Sequence, residues 1–394
     1  GHPTKKLVMI GVTGTKGKTT TTHMIRAILQ AAGKKVGMIG TTGTVIGDVV
    51  TPTLNTTPES YELHQAFSQM VEAGCEYAVM EVSSQGIKMH RTDGLYFDYG
   101  IFTNISPDHI GPGEHADFEE YLYYKTRLLN MCRIGLVNKD DEHAEQIIKA
   151  ADCELYTYSE KGKEADFSAS DIRYVSQPDF VGTEFHISGK YDMEVRLGIP
   201  GLFNVVNALA AVSVCSFLDL DKEKISHALE HIRVNGRMEI VYTSERCTVL
   251  VDYAHNAVSM ESLLSTLRDY KPKRLVCVFG CGGNRSKDRR YSMGEIGGKL
   301  ADLSIITADN SRYEKVEDII ADIRGSIEKT GGRFIEIPDR REAIRYSILQ
   351  AQPGDMVAVI GKGHEDYQEI NGVRHHFLDR EVIEETVKEL GEKA

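Results

Sequence analysis

Residues 8–20, VMIGVTGTKGKTT, constrain this chain more than any other stretch. An apolar run from Val8 to Gly11 passes through a glycine-bearing turn to Lys18 and Thr19, and a helical stretch, His23 to Ala32, follows. Strand, tight turn and helix in that order are what a phosphate-binding loop requires. Backbone N–H groups at the helix start surround a polyphosphate, Lys18 brings positive charge to it, and the Thr19 hydroxyl can ligate Mg2+. The common spacing wants a glycine five residues before Gly17, where this chain has Val12, and Gly14 lies inside the loop instead. GKTT set against a helix start supplies the context that the pattern alone lacks.

The rest of the chain repeats the strand, polar loop and helix sequence. Tyr77 to Met80 reads as a strand ending in Glu81-Val82-Ser83-Ser84, and Ile101 to Asn104 as a strand ending in Ser106-Pro107-Asp108-His109. Polar groups at the carboxyl ends of strands are where open α/β sheets bind ligands. Glu81 reads either as a cap or ion-pair partner or, preferred here, as a Mg2+ ligand opposite Thr19. His109 is either a surface histidine or a second member of that set, since carboxylate and imidazole together suit a divalent ion better than either alone. GTTGTVIG (40–47) reads as a Gly/Thr-rich turn, and TPTLNTTPES (51–60) as a loop leading into a helix over 59–72. The loop's threonines are caps or substrate contacts.

Helix 117–130 carries Lys125 on a face of Tyr and Leu, where a lysine can simply snorkel. Residues 165–198 alternate polar and apolar with a turn at SGKYD, so antiparallel strands are expected. GLFNVVNALAAVSVC (201–215) is a nearly all-apolar helix with Asn204 and Asn207 three apart, presenting both amides to a ligand or merely capping a buried helix. From about residue 236 strands and helices alternate again, each strand ending in polar residues: DYAHN, CGGNRSKDRR, ADNSR and GKGHED. The expectation is an α/β chain: a linker at 1–6, a central P-loop ATPase-type domain with a mostly parallel sheet at 7–235, and a Rossmann-like α/β domain at 236–394. The Glu-rich end, 381–393, is expected to be a solvated closing helix.

A formal net charge of −12 argues against a nucleic-acid surface. No apolar run approaches the roughly 18 residues of a membrane span, and no signal peptide precedes the first strand, so a cytoplasmic protein is expected. The seven cysteines include no C-x2-C pair, and Cys277 and Cys281 are expected to be reduced thiols rather than zinc ligands.

Taken together, the motifs resemble those of the Mur ligase superfamily of ATP-dependent amide-bond-forming enzymes. Within it the chain is most similar to the UDP-N-acetylmuramoyl-tripeptide synthetases, which add the third residue of the peptidoglycan stem peptide. The matches are GVTGTKGKTTT (11–21), NTTPE (55–59), EVSSQG (81–86), FTNISPDH (102–109), YLYYKTRLL (121–129), GLFNVVNALAA (201–211), NGRME (235–239), DYAHN (252–256), FGCGGNRSKDRR (279–290), DNSR (309–312) and GKGHE (361–365). They run in family order along nearly the whole chain.

The resemblance implies a carboxylate activated as an acyl phosphate by ATP and then attacked by an amine. It implies an ATP site of Gly14, Thr15, Lys16, Gly17, Lys18, Thr19, Thr20, Asn204, Asn207, Arg237 and Asp252. Two Mg2+ sites are expected, with Thr19, Glu81, His109 and Lys125 as ligands, Lys125 being the family's carbamylated lysine, N6-carboxylysine. Lys18, Lys125, His109 and Arg237 would carry the chemistry. Thr56, Thr57, Ser83, Arg91, Asn310, Arg312, Gly361 and Glu365 would hold substrates, Arg312 marking the members that add diaminopimelate. The partners implied are an amino acid and a small-molecule or peptide-precursor acceptor, and the chain is expected to be a monomer, or else a dimer.

Departures from the family pattern are Ser311 where proline is usual, Lys16 where asparagine is usual, and IGPGEHADF (110–118) in place of LDYHG. The family also carries a domain of roughly one hundred residues ahead of this point, holding the UDP moiety. Either the sequence is a piece of a longer protein or it is a short paralogue with a UDP-free acceptor, and the altered loop favours the paralogue. Ligation to a small-molecule acceptor, as in folylpolyglutamate or cyanophycin synthesis, and a non-catalytic nucleotide-binding role are the competing readings.

Overall fold

The structure, a computed structural model, describes residues 2–391. It divides into two compact units: the first takes the chain up to Ile232 except Tyr174–Thr183 and Gly198–Gly201, which belong with Arg233 onward to the second.

Up to Glu230 the chain runs β1 (Val8–Thr13), α1 (Lys18–Ala31), β2 (Val36–Gly40), β3 (Gly43–Ile46), β4 (Val49–Thr51), α2 (Ser60–Glu72), β5 (Tyr77–Glu81), α3 (Ser84–Lys88), β6 (Phe97–Phe102), α4 (Phe118–Thr126), β7 (Cys132–Asn138), α5 (Ala144–Lys149), β8 (Glu154–Ser159), β9 (Phe167–Gln177), β10 (Phe180–Gly189), β11 (Met193–Leu197), α6 (Leu202–Cys215) and α7 (Lys222–Glu230). The strand order is β11-β10-β9-β8-β7-β6-β1-β5-β2-β3-β4. β1 pairs in parallel with both β5 and β6, and β2 with β5, so the loop after β1 and the ends of β5 and β6 share one edge. β2 and β5 are buried along their whole length and β1 nearly so, as expected of parallel strands covered on both faces. Phe67 and Met70 of α2, with Met9, Ile39, Met80, Phe97 and Leu128, belong to one apolar core.

Two expectations need correction. Residues 40–47 are not only a turn: β3 and β4 form an antiparallel edge beside β2, the β-branched Thr44, Val45 and Ile46 fitting the pleat. Helix 117–130 is α4 followed by a 3-10 turn, Arg127–Asn130.

The second unit runs β12 (Glu239–Thr243), β13 (Cys247–Asp252), α8 (Ala257–Asp269), β14 (Arg274–Phe279), α9 (Lys287–Leu300), β15 (Leu303–Ile306), α10 (Val316–Thr330), β16 (Phe334–Glu336), α11 (Arg340–Leu349), β17 (Asp355–Ile360), β18 (Tyr367–Ile370), β19 (Val373–His376) and α12 (Asp379–Glu389). Its main sheet has the order β12-β13-β17-β14-β15-β16, with only β12 antiparallel to its neighbour. β13, β14, β15 and β17 therefore end at one edge. α12 is not simply solvated, because Val382, Ile383 and Val387 recur at helical spacing and join the core of this sheet. Residues 392–393 of the expected tail helix lie outside the described residues.

An ion pair sits in the middle of this unit. Arg340, at the start of α11, and Asp379, at the start of α12, are both buried, joined by two contacts of 2.7 Å. The guanidinium also donates to the carbonyls of Ala308 (3.2 Å) and Ile360 (3.0 Å). Asp379→Ala would leave that cation buried and uncompensated, and is expected to cost about 3–5 kcal/mol. Denaturant unfolding followed by circular dichroism measures it, and a loss below about 1 kcal/mol would contradict the assignment.

Candidate functional site

The turn between β1 and α1 is possible only because of two glycines. Gly14 has φ 145° and Gly17 φ 86°. A Cβ on Gly14 would stand 1.9 Å from Thr103 Oγ1, and one on Gly17 2.3 Å from Asn207 Oδ1. The turn is clamped by the end of β6. Asn104 accepts the Lys16 N–H at 2.9 Å, donates to the Lys16 carbonyl at 3.0 Å, and accepts the Thr15 N–H on its own carbonyl at 2.9 Å. Thr103 Oγ1 donates to the Lys16 carbonyl at 2.7 Å. Thr103 and Asn104 lay within the matched FTNISPDH segment, but nothing in the sequence singled them out, because their role is to hold backbone.

Two lysines converge on this turn. Lys18 Nζ donates to the carbonyls of Gly14 (2.8 Å) and Thr15 (3.1 Å), and Lys125 Nζ donates to the same Gly14 carbonyl at 2.8 Å. Lys125 does not snorkel: it is buried, with its ammonium 4.6 Å from the centre of the Tyr121 ring. Burial first, and the Lys18 charge second, push its pKa well below the usual lysine value. The Tyr121 hydroxyl lies 3.1 Å from Thr15 Oγ1, and burial raises its pKa to about 12, so it stays a neutral partner. Lys16 is exposed, while Thr20 faces inward. Asn204 and Asn207 on α6 are buried, joined Nδ2 to Oδ1 at 3.2 Å, with Asn207 Oδ1 3.4 Å from Thr21 Oγ1.

Glu81 ends β5 beside this turn and is buried. Both its oxygens lie 3.0 Å from the Thr19 hydroxyl, and Oε1 accepts the Thr41 N–H at 2.9 Å. The expected substrate residues continue from it. Thr41 Oγ1 meets Thr56 Oγ1 at 3.0 Å. Thr57 Oγ1 donates to the Glu81 carbonyl at 3.0 Å and accepts the Ser83 N–H at 2.9 Å. Arg91 donates to the Thr57 carbonyl at 3.2 Å and pairs with Glu59 at 2.8 Å. Thr41 was missed because its sequence neighbours read as a turn.

His109 is placed differently. It is exposed, with φ 53°, and its Nδ1 meets Glu114 at 2.9 Å, while its ring lies 6.2 Å from Tyr121. Its contacts are thus on the Lys125 side rather than with Glu81. Among the described residues no three His, Cys, Asp or Glu side chains converge as a metal-holding group. Within the altered loop 110–118, His115 is fully buried and meets Ser84 Oγ at 3.0 Å.

The second unit has its own cavity, of about 490 Å³, at the edge where β13, β14, β15 and β17 end. Asn310, Arg312, Gly361 and Glu365 all line it, together with Asp309 and Arg285. Asn310 Nδ2 donates to Glu365 Oε2 at 3.0 Å. Arg312 is anchored to the Gly283 carbonyl at 2.7 Å and lies 3.6 Å from Glu369. Gly361 has φ 112°, and a Cβ there would stand 2.8 Å from Asp309 Oδ2. Arg237 lies over the Tyr253 ring, 5.1 Å from its centre, and Asp252 accepts the N–H groups of Met238 (2.8 Å) and Ala254 (2.7 Å). All seven cysteines are free thiols, Cys277 and Cys281 among them.

A glycine turn between strand and helix, with a lysine, a threonine and a neighbouring strand-end acid, places the first unit in the P-loop class of α/β proteins. The Mur ligase middle domain matches residues 12–215, and the Mur ligase glutamate ligase domain matches residues 236–363. The chain belongs to the Mur ligase family and is a ligase that joins a carboxylate to an amine at the expense of ATP. It is similar to a UDP-N-acetylmuramoyl-L-alanyl-D-glutamate–2,6-diaminopimelate ligase of Caldanaerobacter subterraneus subsp. tengcongensis, 41% identical over 394 residues, which span 98% of this chain and 80% of that one. A solved structure of such a ligase superposes with a TM-score of 0.77 at 34% identity, covering 98% of this chain and 79% of that one. A folylpolyglutamate synthase of Thermotoga maritima, at 18% identity and a TM-score of 0.70 over 91% of this chain and 87% of its own, shares the fold.

Gly14→Ala forces both a strained φ and a collision, whereas Gly33→Ala, at φ 79° with open space around it, forces only the strain. Gly33→Ala is expected to cost roughly 1–3 kcal/mol and Gly14→Ala clearly more, compared by thermal melting. Equal losses would mean that the Thr103 contact does not shape the turn.

Proposed function

We propose that this chain adds a diaminopimelate-like diamino acid to a UDP-linked muramoyl peptide, a step of cell-wall peptidoglycan assembly in the cytoplasm. The observation that carries this reading is the cavity of the second unit, where Arg312 and Glu365 bring opposite charges to one wall. A guanidinium suits a carboxylate and a carboxylate suits an ammonium, so that wall matches an amino acid whose far end carries both groups. The similarity to diaminopimelate ligases along nearly the whole chain supports it.

In this reading the acceptor carboxylate attacks the γ-phosphorus of ATP and ADP leaves. The incoming amine then adds to the acyl carbon, phosphate departs and the amine loses its proton, giving the amide. Backbone N–H groups at the start of α1 and the Lys18 ammonium hold the phosphates. Within the first unit Asn204 and Asn207 would add nucleotide contacts, and Thr56, Ser83 and Arg91 would meet the acceptor, while the buried Thr57 holds the Glu81 carbonyl and the Ser83 N–H in place. Mg2+ would neutralise phosphate charge, and the oxygen donors of Thr19 and Glu81, already 3.0 Å apart, suit that hard cation. His109 and a carboxylated Lys125 would be the second set. Burial of Lys125, which lowers its pKa, eases the loss of the proton that carboxylation by CO2 requires.

Four outcomes are expected. Phosphate release from ATP should require both an amino acid and an acceptor, diaminopimelate with a UDP-linked acceptor being the best pair in a screen that includes lysine, glutamate, aspartate and UDP-free peptides. Lys18→Ala should lower the rate by about 10²–10³-fold. Arg312→Ala should remove about 2–5 kcal/mol of the preference for diaminopimelate over lysine, read from the ratio of kcat/KM values. Carboxylation of Lys125, followed by 13C NMR in labelled bicarbonate, should rise with pH through the depressed lysine pKa, because only the neutral amine takes up CO2. A carbamate signal that falls with rising pH, or that survives Lys125→Ala, would refute the assignment.

A further inference from the structure

Beneath the cavity of the second unit lies a cation that the mechanism has not used. Lys362 is fully buried, 0% exposed, directly after Gly361 and three residues before Glu365. Its ammonium lies 3.3 Å from Asn310 Oδ1 and 3.4 Å from Glu365 Oε2, and it donates to the Tyr367 carbonyl. The Tyr367 ring centre is 5.3 Å away. An ammonium has three protons, and three acceptors surround this one. None is left for a ligand, so Lys362 acts through the groups it holds.

Those groups are two of the cavity's polar residues. Asn310 Oδ1 accepts from Lys362 and from the Glu369 N–H at 2.9 Å, which fills both of its lone pairs. Flipping the amide would turn its NH2 toward an ammonium and an N–H, donor against donor. The amide is therefore locked with Nδ2 toward Glu365, using one N–H at 3.0 Å and leaving the other. Glu365 is fixed through Oε2 by the same ammonium and amide, while Oε1 lies 3.4 Å from the Tyr253 hydroxyl. Donor accounting leaves an Asn310 N–H and Glu365 Oε1 for whatever enters.

We propose that Lys362 is a specificity-determining positioning residue, which locks Asn310 and Glu365 in the one arrangement that offers a hydrogen-bond donor and an anionic acceptor side by side to the far end of a diamino acid. The chemical class recognised is an amino acid whose non-reacting end carries both a carboxylate and an ammonium. This rests on the ligase reading above. A neutral side chain of similar length would leave the Glu369 N–H alone to orient the amide and would remove the one cation that holds the carboxylate, loosening both.

The test compares Lys362→Met and Lys362→Gln with wild type, measuring KM for diaminopimelate, ATP and the UDP-linked acceptor. Lys362→Met should raise the diaminopimelate KM by roughly tenfold or more, as loss of hydrogen bonds to a charged group implies. It should leave the other two KM values unchanged and erode the preference for diaminopimelate over lysine. Lys362→Gln, which keeps a donor, should recover part of the loss. In an Asn310→Ala background Lys362→Met should add little to the loss, since the amide that it orients is gone. A common rise in all three KM values, an unchanged preference, or full additivity with Asn310→Ala would overturn the proposal. So would failure of both variants to fold, judged by circular dichroism, because Lys362 would then be a structural ion. A wild type that ligates a different amino acid would defeat the diaminopimelate reading instead, and the same variants measured with that amino acid would still decide the positioning role.

Discussion

The second unit depends on how a charge can be kept away from water. A buried guanidinium is tolerated only when its donors are met, and Arg340 meets this with two contacts to Asp379 and with the carbonyls of Ala308 and Ile360. Ala308 stands just beyond β15, and Ile360 is the last residue of β17. The two chain segments that leave from there, Asp309–Arg312 and Gly361–Glu365, supply the polar wall of the cavity. Holding both strand ends with one cation fixes the spacing of the two loops before any loop residue makes a contact of its own. Lys362 then works on the next layer, setting side-chain orientation where Arg340 sets backbone position.

In the first unit the corresponding work falls to a carboxylate and a carbonyl. Glu81 ties the first turn of α1, through Thr19, to the end of β2, through Thr41, while its own carbonyl holds Thr57. Asn104 imposes the shape of the glycine turn from the neighbouring strand. Each anchor sits at the carboxyl end of a parallel strand, where the ladder stops and unpaired backbone groups need partners. The sheet positions the site because its strand ends create that demand.

What could be read from the sequence follows the same division. The glycine turn, Glu81 and the DNSR and GKGHE loops were legible because each sits at a fixed offset from an apolar run, whereas Lys125 was marked only by the family resemblance, and the parallel sheets followed from the spacing of those runs. Thr103, Asn104, Thr41 and Lys362 were not, since they act on backbone or on other side chains, and such contacts depend on register between distant strands. The partner of His109 was illegible for a related reason. The loop after it folds back through an Ile110 to His115 bridge, which brings Glu114 within reach. β3 and β4 were hidden by glycines at their ends. The packing of α12 was masked by its charge, although Val382, Ile383 and Val387 carried the helical period.

The pairing of Lys18 and Lys125 on one carbonyl ties stability to chemistry. Two like charges converging on the Gly14 oxygen repel one another, and the burial that seals Lys125 against Tyr121 weakens the screening that water would provide. The fold relieves this by favouring the neutral amine at Lys125. A neutral amine is also the form whose nitrogen attacks CO2, losing a proton to solvent to give a carbamate, which would replace a second positive charge beside Lys18 with a negative one. The repulsion would then become an attraction. The same burial that makes a charged lysine electrostatically awkward here lowers the cost of losing its proton.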